Sequence, residues 1–127
     1  MPSIPEEPDG RNLLAGKRVV VTAAAGTGIG SAVAKRCLLE GAKVLISDIH
    51  ERRLDETADR LATATGTRPL TQICNVAVED DVQALVAAAV DGMGGIDVMM
   101  NNAGLGGSVR LVDMTDDQWS AVLGVTL

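Results

Sequence analysis

Short apolar runs alternate along this chain with longer stretches in which apolar residues recur every three or four positions. The first pattern marks buried strands, the second amphipathic helices. Residues 17–22 (KRVVVT) are predicted as a strand, and 29–40 as a helix with Ile29, Val33, Cys37 and Leu38 on its inner face. Gly41 is placed to end that helix, since a left-handed residue is a common helix stop. Residues 43–47 (KVLIS) read as a second strand ending at Asp48, 51–62 as a charged amphipathic helix, and 69–74 (PLTQIC) as a third strand. A helix over 79–91 follows, with Val82, Leu85, Val86 and Ala89 inward, then a fourth strand at 96–100 (IDVMM). The last helix is predicted over 116–127, with Thr115 as its N-cap.

Strand and helix therefore alternate four times. Apolar strands joined by crossover helices form a parallel sheet covered on both faces. The expected fold class is α/β, a doubly wound, Rossmann-like parallel sheet with strand order 3-2-1-4. The first 12 residues are acidic and rich in proline, and are expected to be a mobile tail ahead of a single domain over 13–127.

Composition narrows the function. Eleven basic residues stand against 17 acidic ones, a net charge of −6, which argues against a nucleic-acid or anionic membrane surface. No apolar run is long enough to span a bilayer. The start lacks the basic and apolar stretches of a secretory signal, so a cytoplasmic location is expected. Cys37 and Cys74 then read as buried free thiols, and no metal site is expected.

The candidate chemistry lies in the turn after the first strand, Thr22-Ala-Ala-Ala-Gly26-Thr27-Gly28-Ile29-Gly30. Glycine permits a tight strand-to-helix turn, and without a side chain the backbone can approach a pyrophosphate at the helix start. Asp48 ends the second strand roughly 20 residues further on, where a carboxylate accepts from ribose hydroxyls and repels a 2′-phosphate. NAD is therefore expected over NADP. Arg52 and Arg53 are read as the solvated face of the next helix, and His50 as a loop residue. A glycine-loop methyltransferase is opposed by the absence of an acidic residue near the end of the first strand.

Asn101-Asn102-Ala103-Gly104 after the fourth strand resembles the NNAG motif of short-chain dehydrogenases/reductases. The glycine turn is similar to that family's TGxxxGxG, Cys74-Asn75-Val76 to its adenine-holding segment, and 113–119 to the stretch entering its dimer-interface helix. The resemblance covers residues 14–127 and implies a nicotinamide-dependent enzyme interconverting a secondary alcohol and a ketone, and a homo-oligomer. It implies cofactor contacts from Gly26, Thr27, Gly28, Ile29, Gly30, Asp48, Asn75, Val76, Asn102, Ala103 and Gly104. The variant VTAAAGTGIG resembles actinobacterial members acting on CoA-linked intermediates, including those of steroid-ring breakdown.

The chain departs from the family pattern at several points. Ala23 replaces the first glycine, and the turn is one residue longer, so that Gly26 is expected to take over the first glycine's task. Asn75 stands where Asp is common, and Thr126 where many members carry the helix asparagine of the proton relay, a candidate catalytic position. The family's catalytic Ser and Tyr-x-x-x-Lys lie beyond the segment matched here, and the chain contains no tyrosine. The expectation is thus an N-terminal half, inactive alone. A non-catalytic dinucleotide-binding half-domain and a degraded gene product stay open beside it, and the full reading frame separates them.

Overall fold

The computed structural model describes residues 2–127. Four strands, β1 (Arg18–Val21), β2 (Lys43–Asp48), β3 (Leu70–Ile73) and β4 (Val98–Met100), alternate with four helices. These are α1 (Ile29–Leu39), α2 (Glu51–Thr65), α3 (Glu79–Met93) and α4 (Asp116–Thr126). All strand pairs are parallel and the sheet order is β3-β2-β1-β4, as the alternation predicts.

The two central strands explain the apolar runs. In β1, Val19 and Val21 pack with Val44 and Ile46 of β2 against Ala34 and Leu38 of α1 and Leu54, Ala58 and Leu61 of α2. Val20 and Leu45 face the other way, against Cys74 and Leu85, Ala89 and Met93 of α3. Successive strand residues point to opposite faces, so strands covered on both sides are apolar throughout.

Two helix faces depart from expectation. Ile29 is 76% exposed, and the buried face of α1 instead runs through Gly30, Ser31, Ala34 and Leu38. Val33 and Cys37 pack only at its margin. Val86 is likewise exposed, and α3 buries Leu85, Ala89 and Met93. Both α2 and α3 run past their predicted ends to Gly66 (φ 81°) and Gly94 (φ 87°), left-handed stops that the periodicity does not register. Thr115 does cap α4, accepting from the Gln118 backbone N–H while the Gln118 side chain accepts from the Thr115 N–H. A 3-10 turn at Leu111–Asp113, absent from the predicted elements, precedes it.

Polar groups at the N-terminal ends of the strands satisfy one another. The Arg18 guanidinium grips Asp97 (2.9 and 3.0 Å) and the Gly94 carbonyl (2.8 Å), joining the entries to β1 and β4. This pairing holds the Asp97 carboxyl down to about 2. Nearby, Glu40 is buried at the end of α1 and accepts backbone N–H bonds from Arg11 (2.8 Å) and Leu13 (3.1 Å). Those bonds, with Arg36 beside it, keep its carboxyl below the usual range. The Pro8 carbonyl accepts from Arg36, and Glu7 pairs with Lys35, so the N-terminal segment touches α1 from Glu7 onward.

Candidate functional site

At the opposite end, β1 leaves the sheet at Thr22 and the chain turns into α1. Ala23 is left-handed (φ 51°) and so is Gly26 (φ 91°). A left-handed conformation, for which glycine is the usual residue, is thus taken up by an alanine after Thr22. Gly30 is required by packing: a Cβ there would lie 2.7 Å from Asn102 Nδ2 and 2.8 Å from the Ala23 carbonyl oxygen. Gly28 is different. It is extended (φ −83°, ψ −166°), and a Cβ on it would meet nothing within 4 Å. Nothing among the described residues requires glycine at this position.

Gly28 is also the N-cap of α1, with no side-chain cap. The first N–H groups of a helix lack intrahelical partners and carry partial positive charge. The other three α-helices place Glu51, then Glu79, Asp80 and Asp81, then Asp116 and Asp117 in their first turns. The first turn of α1 holds no acidic residue. Its N–H groups are thus available to an anion.

Asp48, at the end of β2, is held from two sides. Its Oδ2 accepts from the Ala25 N–H (3.1 Å) and its Oδ1 from the His50 N–H (3.2 Å). A carboxylate has about four acceptor positions, so capacity for further donors remains. Asn75 folds back on its own turn, with Oδ1 accepting from the Ala77 N–H at 3.0 Å and its backbone N–H donating to Asp81 at 2.9 Å. One lone pair of that amide oxygen is left over.

The segment after β4 is fixed by Thr22. Its hydroxyl oxygen accepts from the backbone N–H groups of Asn102 and Ala103, both at 3.0 Å. The Asn102 amide donates in turn to the carbonyls of Thr22 and Ala23, both at 3.2 Å. Asn102 is thereby a tie between β1 and β4. Thr126, near the end of α4, accepts from the Leu105 N–H (3.2 Å) and donates to its carbonyl (3.4 Å), holding the chain just past Gly104.

These elements enclose a cleft of about 380 Å³, lined among others by Asp48, Asn75, Val76, Ala103 and Gly104. Five of the predicted residues therefore share one cavity. Gly26, Thr27, Gly28, Ile29 and Gly30 follow Ala23, which lines it, without lining it themselves; Asn102 does not line it either, and Thr126, bonded to the lining residue Leu105, lines a neighbouring cleft with Thr22, Val76 and Ala103. His50, in the loop before α2, and Arg53, on the exposed face of α2, line it too. Arg52 is a surface residue paired with Glu56, whereas Arg53 reaches over the glycine turn, its guanidinium 2.9 Å from where a Gly26 Cβ would stand. Leu105 and Val125 are lining residues that the sequence does not single out. Cys74 contributes to the cleft as a buried thiol, which burial pushes up, followed by the charge of Asp81. Both cysteines are free. No cluster of three His, Cys, Asp or Glu side chains fit for a metal occurs among the described residues, nor any helix long and apolar enough to cross a membrane.

Known proteins share this arrangement. Residues 17–127 match the short chain dehydrogenase family. A Mycobacterium tuberculosis protein, (5R,7aS)-5-hydroxy-7a-methyl-1-oxo-2,3,5,6,7,7a-hexahydro-1H-indene-carboxyl-CoA reductase, is 54% identical over 97% of this chain and 47% of its own length. The crystal structure of a short chain dehydrogenase from Mycobacterium smegmatis superposes with a TM-score of 0.92 at 55% identity, over 98% of this chain and 52% of that one. L-sorbose reductase from Gluconobacter frateurii, solved with NADPH and L-sorbose, gives 0.80 at 31% identity, over 88% and 42%. The chain spans about half the length of the curated relatives it matches. With its sheet order, its glycine turn and its NNAG segment in place, this chain belongs to the short-chain dehydrogenase/reductase family.

Proposed function

We propose that the protein carrying this chain is an NAD-dependent oxidoreductase that interconverts a secondary alcohol and a ketone on a CoA-linked substrate, and that residues 1–127 form its dinucleotide-binding half. The observation that carries the reading is Gly28. Its glycine answers to no contact among the described residues, and it stands at a helix start kept clear of acidic side chains. A diphosphate approaching the backbone supplies the missing reason.

The residues of the cleft and of the glycine turn beside it then divide the dinucleotide between them. Gly26, Thr27, Gly28, Ile29 and Gly30 receive the pyrophosphate, and Asp48 accepts from the adenosine ribose hydroxyls. The free lone pair of Asn75 accepts from the adenine amino group beside Val76, while Ala103 and Gly104 let the backbone approach the nicotinamide half. When bound, the nicotinamide exchanges a hydride with the carbinol carbon of the substrate. The family's proton donor is a tyrosine, and none occurs in these residues, so residues 1–127 alone turn over no alcohol. Thr126, bonded to Leu105, holds the wall of the site in place of the usual asparagine. NAD is preferred because Asp48 repels an added 2′-phosphate. The CoA-linked substrate rests on the name of the M. tuberculosis relative. A homo-oligomer fits α4, which buries none of its residues and exposes Trp119 and Leu123.

The test is calorimetric titration of the complete reading-frame product with NADH and NADPH, alongside NADH oxidation with CoA-linked ketones. Tighter binding of NADH and turnover are expected. Tighter binding of NADPH, or no dinucleotide binding, would overturn the assignment.

A further inference from the structure

Gly26 falls within the stretch that makes this turn one residue longer than the family's, and as a glycine it does little to hold its own backbone. It is left-handed, and without a side chain it has a wide choice of backbone angles. Yet both of its hydrogen-bonding groups are taken, and both by α2. The Gly26 N–H donates to Thr57 Oγ1 (2.9 Å), and that hydroxyl donates onward to the Arg53 carbonyl (2.7 Å). The Gly26 carbonyl accepts from Nη2 of Arg60. The same nitrogen donates to Ser31 Oγ at 2.9 Å, in the first turn of α1.

The pattern follows from helix geometry. Arg53, Thr57 and Arg60 recur at helical spacing and share one stripe of α2. Leu54, Ala58 and Leu61 form the adjacent stripe and bury it in the core. The core stripe fixes α2, and the polar stripe beside it fixes the turn. Thr57 is itself only 1% exposed, so its hydroxyl has little freedom to find another partner. Ser31 is buried as well, so Arg60 bridges the turn to the start of α1, whose N–H groups face the candidate anion.

We propose that α2 clamps the glycine turn in its diphosphate-receiving shape, with Thr57 and Arg60 as positioning residues. The proposal rests on the dinucleotide reading above. Its distinguishing consequence is that the clamp serves the pyrophosphate and not the adenosine end, where Asp48 and Asn75 act.

Arg60→Met and Thr57→Val in the complete reading-frame product are titrated with NADH and, separately, with adenosine, which lacks the diphosphate. Both variants are expected to bind NADH about tenfold more weakly while adenosine binding stays within about twofold, the effect of one lost hydrogen bond expressed at the turn. Arg60→Lys is expected to recover most of the loss, because a single nitrogen makes both bonds. Arg60→Met and Thr57→Val proteins that bind NADH like the wild type overturn the clamp, as does an equal loss of NADH and adenosine. If Arg60→Met does not fold, Thr57→Val, which keeps the side-chain shape, decides by the same two titrations. A wild type that binds no NADH overturns the dinucleotide reading and the clamp together. One that binds NADH, with unaffected variants, overturns the clamp alone.

Discussion

The two ends of the sheet handle their polar groups in opposite ways. At the N-terminal ends of the strands, Arg18 is matched by Asp97 and Gly94, and Glu40 by Arg11, Leu13 and Arg36. At the C-terminal ends, Asp48 and Asn75 keep unused acceptor positions, Arg53 has no ion-pair partner among the described residues, and α1 starts without an acid. The first end uses its charges on the chain itself. The second leaves its hydrogen-bonding capacity for a molecule from outside, as parallel α/β sheets do at the carboxyl ends of their strands.

Substitutions should respect that division, and Gly30 is where it is most severely tested because it serves both sides. Gly30→Val drives a side chain into Asn102 and the Ala23 carbonyl, so a loss of about 3 kcal/mol or more in thermal or urea unfolding is expected. Gly28→Val sharpens the contrast two residues away. Its extended backbone suits a branched side chain, so stability should change by less than about 1 kcal/mol. NADH affinity of the complete protein should nevertheless fall about 100-fold, because the side chain fills the path of the diphosphate. A Gly28→Val protein that titrates normally with NADH would remove the reason for placing the anion there. Asp48→Ala should weaken NADH by about 1–3 kcal/mol and narrow the gap to NADPH.

At the other end the expected effects are on folding and pH, not on binding. Asp97 ionises in the folded chain well below the usual carboxylate range, at about 2. A depressed carboxyl contributes stability that is fully present above its unfolded pKa and is lost as pH falls through the folded value. Asp97→Asn should therefore melt a few degrees lower than the parent near neutrality, with the difference closing between about pH 4 and pH 2. NADH affinity at pH 7 should be unchanged; a parallel loss of binding would dissolve the distinction between the two ends. The smallest effect is expected at Ala23. Relieving its left-handed conformation with Ala23→Gly should be neutral to stabilising by about 0.5–1 kcal/mol, since the intrinsic strain is partly offset by the added freedom of the unfolded chain.

Much of this architecture is legible in the amino-acid sequence. The strand order follows from four apolar runs alternating with helices, because right-handed crossovers with one reversal at the first strand give 3-2-1-4. Thr115 announces its helix because capping is local chemistry. The departures have a physical source. The buried face of α1 is made of Gly30, Ser31 and Ala34, small residues that let the helix lie close to the sheet. Hydropathy points instead to Ile29, which faces out. Arg53 is indistinguishable from Arg52 by composition, since only the packing of α2 decides which of two neighbours turns toward the glycines. The Thr22 anchor is invisible for another reason: no spacing rule connects a hydroxyl at the end of one strand to N–H groups beyond a strand far away in sequence.

That anchor also orders events in time. Ala25 and Asp48 are 23 residues apart, and their contact closes a modest loop. Thr22 and Asn102 are 80 residues apart. Closing the longer loop costs about 1 kcal/mol more chain entropy, and contacts of such separation tend to form late in folding. The Asp48 side of the cleft can thus be assembled by β1, α1 and β2 while the wall formed by Ala103 and Gly104 still awaits β4. During folding the cleft is expected to be built from one side, its Asp48 wall first and its Ala103–Gly104 wall last.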